Sequence, residues 1–237
     1  MKNILYYVKK FGQKSFQEFP FNEVDSLILS QVSYMNLDNF VPSIDDTSPD
    51  VSLIELLNEQ TIKELTVDTL DEKNNKRLLR LFQKSTRYEG LKANHFANYF
   101  YAEKVQQFCA VTFLFDEFSY IAYRGTDLTL VGWQENFNMA VLDVIPSQEE
   151  ASKYLFRVIK HLKNDFYLGG HSKGGNLALY AALYCGEDIQ DRILQIYNHD
   201  GPGFQTNIFI TEEYKRLEDR ISKTTCEEAL VGILLHT

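Results

Sequence analysis

The chain has 237 residues, 44% hydrophobic and 24% charged, with a formal net charge of -9 at pH 7. That composition excludes a disordered or fibrous chain, and the length suits one domain, 1–237, built on a core buried on both faces of a sheet. The acidic balance, with no local Lys/Arg stripe, excludes a broad nucleic-acid footprint. No apolar run reaches the roughly 20 residues of a membrane span. Residues 1–10 also lack the apolar length and small-residue cleavage site of a signal peptide, so a cytoplasmic location is expected. Cys109, Cys185 and Cys226 are odd in number and widely spaced, which fits reduced, buried thiols better than disulfides or a metal site.

In chain order, Asn22 is a candidate N-cap, and Val24, Leu27, Ile28, Val32 and Met35 follow at helical spacing, predicting a helix that ends near Asn36. Residues 41–50 combine turn formers with Asp45, Asp46 and Asp50. Without the glycine and downstream glutamate of a calcium loop they read as a solvated connection. A short apolar segment, 51–57, comes next. A second amphipathic helix is predicted over 73–84, its buried face formed by Leu78, Leu79, Leu81 and Phe82. The first ninety residues thus form a mainly helical segment, or a cap, ahead of a sheet core over 91–237.

Aromatic and β-branched residues then dominate 96–101, 108–115 and 118–123, with Asp116-Glu117 as a turn, predicting successive strands of one sheet. Ser147 and Glu150 make a capping-box pattern ahead of the helical face Ala151, Tyr154, Leu155, Val158, Ile159 and Leu162. The chain continues into an apolar strand at 166–168, a helix from Ser172 to about Cys185 stopped by Gly186, and a strand at 193–197. Strand, helix and strand alternating at this length imply parallel pairing.

The junction of that strand and helix is Gly170-His171-Ser172-Lys173-Gly174, a G-x-S-x-G pattern. A nucleophilic serine has to be pushed out of a sharp strand-to-helix turn, its hydroxyl toward substrate and the helix N-terminus toward the developing negative charge. Gly170 and Gly174 permit that crowding, and His171 reads as part of the elbow scaffold. The pattern is short, and its setting between an apolar strand and an Ala/Leu-rich helix gives it weight. Acyl transfer also needs two oxyanion donors. Lys173 supplies one backbone N–H by position, and Thr126, just beyond the 118–123 strand in Arg124-Gly125-Thr126-Asp127, is the candidate for the other.

Together the Arg124-Gly125-Thr126 loop, the Gly132-Trp133-Gln134-Glu135-Asn136-Phe137 segment and the elbow resemble the class 3 lipase pattern, nearest to its uncharacterised bacterial relatives. The resemblance covers about residues 95–205. It implies an α/β-hydrolase-type, mostly parallel sheet flanked by helices, the oxyanion role for Thr126 and a scaffold role for Trp133.

A hydrolase of this fold takes its acid and then its histidine from beyond the nucleophile. Asp200, in the turn Asp200-Gly201-Pro202-Gly203-Phe204 after a strand, is the candidate acid. Its alternative role is to fix its own turn, and class 3 lipases usually take the acid one strand later. Of five histidines, His171 lies in the elbow, His95 and His161 precede Ser172, and His199 faces away from its neighbour Asp200 in an extended segment. His236 has the right order but follows no further strand. The expectation is a fold whose C-terminal part is missing from this chain.

The reading is therefore a cofactor-free, metal-free serine esterase acting on a small-molecule or lipid ester through an acyl-serine, with Ser172, Asp200 and His236 as catalytic candidates. The alternative is a non-catalytic or truncated hydrolase-fold protein that binds acyl groups or lipid.

Overall fold

A computed structural model of the chain describes residues 3–126, 130–139 and 141–225. Among them, seven strands form one sheet in sequential order: β1 Val51–Ser52, β2 Lys92–Tyr101, β3 Gln106–Leu114, β4 Ser119–Tyr123, β5 Phe166–His171, β6 Ile193–His199 and β7 Ile221–Thr224. From β1 to β4 the neighbours are antiparallel, and from β4 to β7 they are parallel. The sheet is thus mixed, and the parallel half carries the elbow. Connection length accounts for the change. From β2 onward short turns return the chain beside itself through β4, whereas β4 to β5, β5 to β6 and β6 to β7 are joined through helices; β1, although antiparallel to β2, reaches it only through the helical stretch 53–91.

The helices are α1 Ile4–Phe11, α2 Glu23–Val32, α3 Leu53–Leu56, α4 Glu59–Thr66, α5 Glu72–Phe82, α6 Leu130–Met139, α7 Pro146–Val158, α8 Lys173–Leu183, α9 Glu187–Gln190 and α10 Glu212–Leu217. Alternation along the strands divides them into two layers. Tyr120 and Ala122 of β4 enter one core with Ile28, Leu29, Leu78 and Phe82 of α2 and α5. Ile121 and Tyr123 enter the other, with Leu155 and Val158 of α7 and Leu177 and Ala181 of α8. The N-terminal segment therefore packs over the central strands on one face of the sheet. Within the segment the buried Asp25 carboxylate pairs with Arg87 and accepts hydrogen bonds from Tyr7 at 3.0 Å and Tyr88 at 2.7 Å, and Ser26 Oγ, 2.8 Å from both Tyr120 Oη and His199 Nε2, joins it to the sheet.

Several boundaries differ from the sequence reading for identifiable reasons. α1 and α4 lie in stretches where no helix was expected, although Asn3 and Asn58 cap them. Asn22 does cap α2 and closes a box with Asp25, but the helix stops at Val32, where the Ser33 hydroxyl donates to the Ser30 carbonyl at 2.7 Å. Such local bonds compete with helix continuation. α7 begins one residue before Ser147, because Pro146 suits the first helical position. Gln148 Oε1 then accepts the Ile145 N–H at 2.9 Å, and Ser147 donates its hydroxyl to the Gln107 carbonyl instead of capping.

Candidate active site

Ser172 stands between β5 and α8 with φ 56 and ψ -133, a backbone conformation that a residue with a Cβ rarely occupies. Two hydrogen bonds hold it there: its N–H donates to the His199 carbonyl of β6 at 2.8 Å, and its carbonyl accepts the Gly175 N–H at 2.9 Å. α8 crosses so close to the sheet that a Cβ on Gly174 would lie 2.1 Å from the Tyr123 carbonyl oxygen. A Cβ on Gly170 would meet both that oxygen and the Gly174 backbone at 2.4 Å. Only hydrogen fits at these two positions.

The Arg124–Thr126 loop runs directly past this turn. A Cβ on Gly125 would lie 2.5 Å from the His171 carbonyl oxygen and 3.2 Å from Ser172 Cβ. Thr126 is half-buried, and its hydroxyl donates to Asn136 Oδ1 at 2.8 Å. Ser172, Thr126 and His171 share the wall of a cavity of about 410 Å³ with Tyr34, Asn36 and Leu70. Part of the lining is thus supplied by the N-terminal segment, the stretch that the sequence reads as a helical segment or a cap. A larger hollow of about 590 Å³ lies around His95, His161 and the Asp45–Asp50 loop, and Ser172 does not line it.

Beneath the turn, the Lys173 side chain is fully buried, with Nζ 2.6 Å from both Glu135 Oε2 and the Gln107 carbonyl. Asn176, one turn along α8, donates to the Pro202 and Gly203 carbonyls at 3.1 and 3.0 Å and accepts from Gln148 at 2.8 Å. These bonds fix the turn that begins at Asp200.

Strand register brings Asp200 beside the elbow. His171 of β5 pairs with His199 of β6, so Ser172 and Asp200 leave adjacent strands at the same level. Asp200 also has a left-handed backbone, φ 56, and its N–H donates to the Thr224 carbonyl at 2.7 Å. Its Oδ1 is buried without a hydrogen-bond partner among the described residues. An orphaned carboxylate oxygen at a strand end is costly unless something else meets it.

The histidines divide by place. His199 Nε2 is 2.8 Å from Ser26 Oγ and Nδ1 is 2.8 Å from Thr224 Oγ1, and burial lowers its pKa to about 4. It is a neutral, structural imidazole. His95 sits at a β-bulge and packs against His161 with ring centroids 5.2 Å apart, away from Ser172. His171 Nδ1 lies 3.4 Å from Tyr34 Oη, and burial holds its pKa down against the opposing pull of the Asp200 charge. His236 and Cys226 lie outside the described residues, as does the side chain of Trp133. Cys109 and Cys185 are buried, and burial raises the Cys185 thiol to about 12. No helix of the described residues is long and apolar enough to cross a membrane.

The sequence reading uses only the backbone N–H of Lys173 and assigns no part to its side chain or to the Glu135 carboxylate. The signal available was a lysine placed inside an otherwise apolar helix start, which implies a buried counter-charge somewhere else in the chain.

Comparisons with known proteins agree with this architecture. Among solved structures, the crystal structure of M37 lipase superimposes with a TM-score of 0.51 at 15% identity, over 86% of this chain and 67% of that one. A fungal lipase–inhibitor complex gives 0.44 at 17% identity, over 60% of each chain. No curated protein matches. The first likeness shows a lipase-like α/β-hydrolase fold. The family model described as Mbeg1-like matches residues 82–237, and the chain belongs to the Mbeg1-like family.

Proposed function

We propose that this chain is a serine esterase of the lipase type, cleaving a carboxylic ester in which Ser172 attacks the acyl carbon and water resolves the acyl-serine. The observation that carries the reading is the strained Ser172 backbone, φ 56 and ψ -133, at the wall of a cavity shared with Thr126. Strain of that kind persists where the surrounding structure over-determines it and the geometry is used. In this reading the backbone N–H groups of Lys173 and Thr126 receive the oxyanion. Asp200, with its free buried oxygen, is the acid that orients an imidazole. His236 remains the candidate base by chain order. Exposed Phe137, Val141, Leu142 and Val144 follow the oxyanion loop and favour an apolar or lipid substrate. The N-terminal segment acts as a fixed wall of the site within one domain, because it is part of the core.

The second reading, a hydrolase-fold protein that binds acyl groups without turnover, is favoured by one observation. Every histidine described is committed elsewhere or sits within the elbow itself. Fluorophosphonate labelling separates the two. Labelling of the parent but not of Ser172→Ala supports the esterase, and labelling no greater than that of the alanine variant leaves the binding protein. A His236→Ala variant that labels as fast as the parent removes His236 from the mechanism.

A further inference from the structure

We propose that Glu135 is a positioning residue: through its buried ion pair with Lys173 it locks α6, and with it the Thr126 loop, against the elbow. The inference rests on the reading of Ser172 as nucleophile. Neither side chain of the pair has any exposure to solvent. Glu135 Oε2 receives Lys173 Nζ at 2.6 Å and the Gln107 N–H at 3.1 Å, while Oε1 receives the Ser147 N–H at 3.2 Å. One carboxylate therefore joins α6, the start of β3, the start of α7 and the residue directly after Ser172.

The position of α6 is passed on to Thr126 through two contacts. Thr126 Oγ1 donates to Asn136 Oδ1, next to Glu135, at 2.8 Å. α6 also presses closely on the loop, since a Cβ on Gly132 would lie 2.7 Å from Thr126 Cγ2. Lys173 meanwhile carries one proposed oxyanion donor on its backbone and the lock on its side chain. The spacing between the two donors is thus set by a directional ionic contact. A buried ion pair contributes little net stability compared with packed apolar side chains, but it holds one geometry strictly. An error of about 1 Å in such a constellation lowers rates by up to about a hundredfold.

The test compares Lys173→Met/Glu135→Gln with the parent and with Glu135→Asp. The double variant removes both charges together, so that neither is left buried alone. Fluorophosphonate labelling rate, hydrogen exchange of α6 and α8, and thermal unfolding are read on the same samples. Labelling at least tenfold slower, with α6 amides losing protection while α8 keeps its own, supports the lock. Glu135→Asp, which keeps the charge and shortens the reach, is expected to label at an intermediate rate. Parent-like labelling in the double variant overturns the inference, and so does a loss of protection spread equally over α8. A parent that never labels, with exchange in α6 still altered by the double substitution, overturns the nucleophile reading and supports the lock.

Discussion

Replacing Gly174 by alanine tests the elbow geometry at its tightest point. The added methyl would stand 2.1 Å from the Tyr123 carbonyl oxygen, 2.9 Å from Tyr123 C and 3.0 Å from Arg124 C, all backbone atoms of β4 and the loop beyond it. Real Cβ contacts do not fall under 3.0 Å, so α8 and β4 must separate by at least about 0.9 Å. Both elements are buried and paired on either side, and a close-packed interior cannot absorb that locally. Overpacking typically costs about 1–3 kcal/mol. With backbone as the obstacle we expect the upper end, about 3 kcal/mol, or a fall in Tm of about 6–12 °C for a chain of this size. Gly90→Ala is the internal control: nothing lies within 4 Å of its Cβ position, and its φ is not left-handed. It should be neutral or stabilise by about 0.4–1 kcal/mol, by restricting the unfolded chain. Urea unfolding of the three proteins decides the matter. A Gly174→Ala variant within about 0.5 kcal/mol of the parent would refute the close-approach argument.

Three further expectations bear on strain, titration and the N-terminal wall. Ser172→Gly and Ser172→Ala both remove the hydroxyl, but only glycine relieves φ 56; the glycine variant should be more stable by about 1 kcal/mol, and equal denaturation midpoints would argue against stored strain. His199 titrates at about 4 in the folded protein and near 6.5 when unfolded, so between those pH values the unfolded chain binds more protons. Its contribution is complete above about pH 6.5 and is lost as pH falls toward 4, at most about 3 kcal/mol. Urea unfolding from pH 7.5 to 5 should show that slope in the parent and a flatter one in His199→Gln, and identical slopes would remove His199 as its source. Deleting residues 1–90 would strip one face of the sheet and expose Phe113 and Tyr120, so the product should be insoluble; a soluble, cooperatively folding remainder would show that the segment is a separable cap.

The sequence by itself determined the features whose causes are local. The strand, turn and helix around Ser172 follow from an apolar run, two glycines and an Ala/Leu-rich stretch within about twenty residues. The central strands are legible for the same reason, since alternation and turn residues act between near neighbours. Tertiary structure decided what depends on distant segments. Lys173 and Glu135 are 38 residues apart, and although the setting of Lys173 implies a buried counter-charge, nothing in the sequence singles out Glu135 to supply it. Asp200 is placed beside Ser172 by the parallel register of β5 and β6, which no spacing in the sequence specifies. Tyr34 and Leu70 become a wall of the cavity because α2 and α5 cover the sheet face that Tyr120 and Ala122 present. An elbow can be written in a few residues because the backbone there is constrained by its immediate neighbours. The groups that would orient a substrate around it are gathered by strand pairing and packing across the chain.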